Sequence, residues 1–132
     1  KMLVMLRAVI NEGTGGRVRR LYNITADMGG KTGTTNNNSD GWFMGFTPSL
    51  VSGCWVGGEE RDIHFDRMAD GQGASMALPI WSLYMNKVFA DKELGYTQED
   101  KFDIPEGFDP CKDKLLELDE DNTSRLDDLF FQ

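Results

Sequence analysis

Histidine is almost absent from this sequence and cysteine is scarce: the 132 residues hold one His, His64, and two Cys, Cys54 and Cys111. A lone imidazole cannot assemble a zinc site or complete a triad with a nearby nucleophile. The two cysteines lie far apart and fit no metal-ligand spacing such as C-x-x-C, so neither a metal nor a cofactor is expected. Cys54 stands beside Trp55 in an apolar run and reads as a buried free thiol, with a disulfide as the alternative. Long hydrophobic runs are missing too. No apolar stretch approaches the roughly 18 residues needed to span a bilayer, and no charged, apolar and small-residue leader pattern opens the chain at Lys1. A basic stripe is also lacking, which removes nucleic acid from the expected partners. His64 follows Glu59-Glu60-Arg61-Asp62 and reads as a solvated loop residue.

The charge that is present is unevenly placed. Of the formal net charge of −8, almost nothing comes from residues 1–90, which carry nine Lys/Arg against eight Asp/Glu. Residues 91–132 carry five Lys/Arg against fourteen Asp/Glu, so the acidity belongs to the C-terminal segment, most simply a solvated extension. The rest suffices for one core: 39% of residues are hydrophobic, with eight Phe, three Trp and three Tyr. Starting mid-pattern at Lys1, the chain is expected to be a piece of something longer.

Apolar residues at positions 2, 3, 5, 6, 9 and 10 predict a helix, which Gly13 is placed to end in a left-handed conformation. "GTGGRVRRLYNIT" is glycine-rich and then extended, with Thr14 a turn former and Arg19 and Arg20 solvated. Gly29-Gly30 reads as a turn and "KTGTT" as a strand. Turn formers fill positions 36–41, the Asn36–Asn38 run reading as a solvated loop. "WFMGF" and "LVSGCWVGG" complete a three-stranded antiparallel meander, with Trp42, Phe43, Phe46 and Trp55 assigned to the core and Asp27 and Asp40 to caps or turns. Residues 59–73 form a charged loop. "ASMALPIWSLYMNKVFA" is a second helix that accommodates Pro79 near its first turn. The expected fold class is α+β, an antiparallel sheet flanked by helices. The expected organisation is a helix, meander and helix over residues 1–92 and an acidic C-terminal extension over residues 93–132.

Gly30-Lys31-Thr32 invites a phosphate-loop reading, but G-x-x-x-x-G-K-[ST] requires glycine where Thr25 stands. The loop must also open into a helix, whereas Lys31-Thr32 runs into Gly33, two Thr and three Asn. A substrate strand is the coherent alternative. Lys31 brings a fixed positive charge toward a carboxylate, and Thr32 and Thr34 bring hydroxyls. Gly33 lets a peptide backbone approach, and the strand edge can pair with an extended peptide. A backbone N–H there can stabilise an acyl-transfer oxyanion. Strict alternation puts Lys31 and Gly33 on the face opposite Thr32 and Thr34, so the cleft must use the strand's edge or a local twist.

Lys31-Thr32-Gly33-Thr34 resembles the K-T-G-[ST] element of the penicillin-recognising serine acyltransferases. "MLRAVINEGTGGRVR" (Met5 to Arg19), "GGKTGTTNNNSDGWFMGFTPSLVSGCWVGGEE" (Gly29 to Glu60) and "ALPIWSLYM" (Ala77 to Met85) are similar, in the same order, to the C-terminal part of the transpeptidase domain of class A, bifunctional penicillin-binding proteins. The resemblance covers about residues 2–90 and implies part of a penicillin-binding protein/serine β-lactamase-like fold. It implies a D,D-transpeptidase that cross-links peptidoglycan stem peptides and is acylated by β-lactams. Lys31 would bind the substrate carboxylate, Thr32 and Thr34 would contact it, and the Thr34 backbone N–H would form half the oxyanion hole. Asp40-Gly41-Trp42-Phe43 would support the cleft strand. The implied partners are the remainder of the same domain, a stem peptide and β-lactams. The implied place is the outer face of a bacterial inner membrane, reached only through an N-terminal anchor outside this sequence.

The family also needs S-x-x-K, which sets the nucleophilic Ser and its Lys a turn apart on one helix face. No Ser of this chain, at 39, 49, 52, 75, 82 or 124, has Lys three residues later, and no S-x-N is found. The chain alone is therefore expected to be inactive, with no nucleophile of its own. A nonenzymatic binding or interaction module and a serine β-lactamase fragment remain the alternatives.

Overall fold

Alternation along one strand divides the molecule into a covered and an uncovered side. The computed structural model describes residues 1–108. Its strands β1 (Gly29–Thr34), β2 (Asp40–Phe46) and β3 (Val51–Gly57) form one antiparallel sheet in the order β1-β2-β3. The helices are α1 (Met2–Asn11), α2 (Arg17–Tyr22), a single turn α3 (Met68–Gly71) and α4 (Gly73–Ala90), with a 3-10 turn at Lys92–Leu94. The described residues thus have the expected α+β character, three antiparallel strands between helices.

Along β2, Gly41, Phe43 and Gly45 are buried while Trp42 and Met44 are exposed. The register sets Phe43 opposite Thr32 and Cys54, and Trp42 opposite Gly33 and Trp55. Directly paired residues share a face, so Thr32, Phe43 and Cys54 look inward and Gly33, Trp42 and Trp55 outward. The inner face packs on α1 and α4 around a core that includes Ile10, Met28, Phe43, Leu78, Trp81 and Met85. The Trp81 ring meets Phe43 edge-on at 4.9 Å, and its indole N–H donates to Ser52 Oγ at 2.9 Å. Gly45 makes room for that indole, for a Cβ at this position would run into the ring.

Several expectations from sequence are corrected here. Trp42 and Trp55 are not core residues: 46% and 47% exposed, they occupy the outer face because burial of Phe43 fixes the parity of β2 and, through the register, of β3. Gly29 and Gly30 make no turn but begin β1, where a Cβ on Gly29 would lie 2.5 Å from the Phe46 ring. Gly13 is not left-handed; its missing side chain clears the Val9 carbonyl, which a Cβ would approach to 2.9 Å. Residues 17–22 are helical rather than extended, ending on Asn23 at φ 54°. Arg19 is half-buried, not solvated. It donates to the Ile24 and Ala26 carbonyls at 2.9 Å each, and burial pulls its pKa down against the opposing charge of Asp27. Pro79 lies in the second turn of α4, where it removes one i→i−4 bond.

The described part of the acidic segment lies against the body. Gln98 Oε1 accepts from the Thr25 N–H at 2.7 Å and the Thr25 hydroxyl at 3.0 Å. The Phe102 N–H donates to Asp27 Oδ2 at 3.1 Å, and the other oxygen of Asp27 is bridged by Arg7 at 2.7 Å. The Phe102 ring meets Phe46 edge-on at 5.7 Å. Asp27, expected as a cap or turn residue, is therefore a buried clasp between α1, the entry to β1 and this segment. Residues 109–132, most of the expected extension and Cys111 with it, lie outside the described residues. Among the described residues no helix is long and apolar enough to cross a membrane.

Gly45→Ala should lower unfolding free energy by about 1–3 kcal/mol by overpacking the core. Gly53→Ala, whose Cβ meets mainly the flexible Met44 thioether, should lower it less. Urea denaturation of the two variants checks the order.

Candidate functional site

β1 is an edge strand, so the direction of each backbone group decides what the edge offers. Thr35 N–H donates to the Asp40 carbonyl at 3.1 Å, one step beyond the pairing of Thr34 with Gly41. Opposed pairs in an antiparallel ladder are hydrogen-bonded alternately, so the backbone groups of Gly33 and Lys31 turn toward β2. Those of Gly30, Thr32 and Thr34 point away from it, into open space along the edge. The Lys31 ammonium donates to the Thr32 carbonyl at 2.8 Å, as that direction requires.

The side chains follow strict alternation, with Lys31 and Gly33 outward and Thr32 and Thr34 inward. No local twist brings the two pairs onto one face. They meet at the edge, over which the long Lys31 side chain folds. Among the described residues no carboxylate pairs with the exposed Lys31. Thr34 Oγ1 accepts the Gly73 N–H at 3.1 Å, capping the start of α4 and keeping its own proton free to donate. Thr32 Oγ1 lies 3.4 Å from Thr14 Oγ1.

Gly33 has no left-handed backbone, and a Cβ there would meet only the Trp42 Cβ, at 3.3 Å. A Cβ on Gly41, by contrast, would press on the Gly73 backbone at 2.9 Å. Packing within the chain thus demands glycine at 41 far more than at 33. The bare surface beside Lys31 is left open to an approaching backbone.

Thr14, read from sequence as a turn former, was missed as a neighbour of this strand. It is the one side chain in Gly13–Gly16, a turn pinned by the Gly15 N–H to the Val9 carbonyl at 2.9 Å. A residue flanked by glycines on both sides was the available signal. His64 is exposed, its Nδ1 3.3 Å from the Phe65 carbonyl. No group of His, Cys, Asp and Glu among the described residues could hold a metal ion. Cys54, half-buried on the inner face, has no disulfide to any described residue, and burial pushes its thiol pKa up.

Thr34→Val should destabilise the fold by about 1–2 kcal/mol by orphaning the Gly73 amide, with Thr34→Ser restoring most of the loss in thermal denaturation. A raised thiol pKa leaves less thiolate at a given pH. In a Cys111→Ser background, Cys54 should therefore alkylate more slowly at pH 8 than an exposed cysteine, and its rate should still climb where the exposed thiol levels off.

Three relatives give this geometry its context. Penicillin-binding protein 1A of Pseudomonas aeruginosa is 41% identical over 93 residues, 70% of this chain and 11% of that protein. The protein of the same name from Aquifex aeolicus is 46% identical over 84 residues, 64% of this chain and 11% of that protein. The Vibrio cholerae protein is 36% identical over 90 residues, 60% of this chain and 11% of that protein. No family model matches the chain. The chain spans about a tenth of the length of the curated relatives it matches. It is thus related to one part of the class A penicillin-binding proteins, the family that its K-T-G-T strand and the motifs around it resemble.

Proposed function

We propose that this chain is the C-terminal portion of a transpeptidase domain and that β1 is its substrate-binding strand. The observation that carries this reading is the free edge of β1. It offers an outward Thr34 N–H beside two hydroxyls and an ammonium without a carboxylate partner among the described residues, within 31–34 of the chain. Lys31 holds the carboxylate of a peptide ending in D-Ala-D-Ala, with Thr32 and Thr34 donating hydroxyl protons to it. The peptide pairs along the edge by strand addition, and Gly33 admits its backbone. The Thr34 N–H then points at the scissile carbonyl, where one oxyanion donor contributes about 2.7–4 kcal/mol to the barrier.

The attacking serine and its lysine come from outside this sequence, which has no S-x-x-K. The reaction proposed for the whole protein is serine acyl transfer in peptidoglycan synthesis, with β-lactams as covalent ligands and a glycosyltransferase domain in the same polypeptide. The remainder of the transpeptidase domain covers the outer sheet face, where Trp42, Met44 and Trp55 are exposed. The whole protein works at the outer face of the inner membrane, held by an N-terminal anchor. The missing S-x-x-K favours a second reading for the isolated chain, a binding module without catalysis.

Titration of the labelled chain with an acetylated peptide ending in D-Ala-D-Ala tests the strand. Lys31→Ala should weaken binding about 10-fold or more, the loss of one charge-assisted hydrogen bond. Intact-mass spectrometry after incubation with a penicillin should leave the 14.8 kDa chain unmodified. An adduct on it would reveal a nucleophile other than S-x-x-K, and unchanged binding in Lys31→Ala would remove Lys31 from the site.

A further inference from the structure

Thr14 sets a hydroxyl beside β1 that neither the fold nor the pairing of a peptide with the strand edge uses. α1 runs beneath β1 with Ile10 against Gly30, where a Cβ would meet the Ile10 side chain at 3.2 Å. The turn that ends α1 therefore comes up level with Thr32, two residues further along the strand. Three backbone bonds hold it. The Gly13 N–H donates to the Ala8 carbonyl at 3.1 Å, the Gly15 N–H to the Val9 carbonyl at 2.9 Å and the Gly16 N–H to the Gly13 carbonyl at 3.1 Å. A Cβ on Gly15 would lie 2.6 Å from the Ile10 side chain, so the turn sits tight on α1. The outcome is a fixed backbone that carries one exposed hydroxyl.

Among the described residues that hydroxyl reaches one polar partner, Thr32, with the two Oγ1 atoms 3.4 Å apart. An O–H···O hydrogen bond spans about 2.5–3.0 Å, so the hydroxyls face each other across a gap and both protons stay available. A single oxygen fits that gap, about 2.7 Å from each. From the outer face the Lys31 ammonium folds over the edge to within 2.8 Å of the Thr32 carbonyl. An ammonium and two hydroxyls thus meet at one residue of the edge, donors suited to an anionic oxygen acceptor.

We propose that Thr14 is a further substrate-binding residue. With Thr32 it forms a two-pronged donor for one oxygen of the peptide's terminal carboxylate, the other oxygen facing Lys31. The inference rests on the substrate reading of β1 and extends that site to a residue outside K-T-G-T. The glycines around Thr14 then serve binding as well as chain reversal, since they hold its hydroxyl at a set distance from the strand.

The test titrates an acetylated peptide ending in D-Ala-D-Ala, as free acid and as C-terminal amide. The proteins are the wild-type chain, Thr14→Val, Thr14→Ala, Thr14→Ser and Lys31→Ala. Thr14 is exposed and gives the fold no side-chain bond beyond the long contact with Thr32, so its replacement should leave the thermal midpoint in place. Loss of a hydrogen bond to a charged oxygen should weaken the acid about 10-fold in Thr14→Val and Thr14→Ala. The neutral amide accepts bonds about half as strong and should lose only about 3-fold. Thr14→Ser, which keeps the hydroxyl, should bind the acid within about 2-fold of wild type. Three results overturn the role of Thr14 alone, provided Lys31→Ala still weakens the acid: unchanged acid binding in Thr14→Val and Thr14→Ala, an equal loss for acid and amide, or Thr14→Ser as weak as Thr14→Val. An acid that fails to bind the wild type, or binds Lys31→Ala equally well, overturns the strand reading and the role of Thr14 together.

Discussion

The seat of Trp81 on the inner sheet face constrains everything else. Its indole lies over Gly45, edge-on to Phe43, with its N–H held by Ser52. Burial of an aromatic side chain of this size is worth on the order of 5 kcal/mol before conformational entropy is subtracted. Glycines at 41 and 45 let α4 lie flat against β2. That close approach brings the first amide of α4 within reach of Thr34 Oγ1. The packing of the core and the end of the candidate strand are therefore coupled through one hydroxyl.

The same parity empties the other side. Once Phe43 turns inward, Trp42 and Met44 must turn outward with Lys31 and Gly33, and no described element covers Trp42 or Met44. The Phe102 ring, led there by the Asp27 clasp, reaches Phe46 at one end of that face. An apolar sheet face with a charged rim is a surface made for covering. In the proposed function the rest of the transpeptidase domain covers it.

Much of this architecture was legible in the sequence because its signals are local. The period of α1, the turn formers at 36–41 and the β-branched and aromatic runs each name an element without outside information. What failed depended on how the chain folds back, which no local pattern states. Arg19 looks solvated until the carbonyls of Ile24 and Ala26 bend back onto it. Trp42 and Trp55 look like core because aromatic residues usually are, and only the burial of Phe43 against α4 decides otherwise. For the candidate site, four consecutive residues could be named as a strand from their types alone. The neighbourhood of Thr14 needed the loop contacts.

The outward placement of two tryptophans gives the molecule an optical property. Of its three Trp, Trp81 is 1% exposed in the core, while Trp42 and Trp55 face solvent from directly opposed positions on adjacent strands. Unfolding changes the surroundings of all three indoles, whereas anything that settles on the outer sheet dries two and leaves the third as it was. Emission from the chain therefore separates occupation of that face from loss of the fold, without any label added.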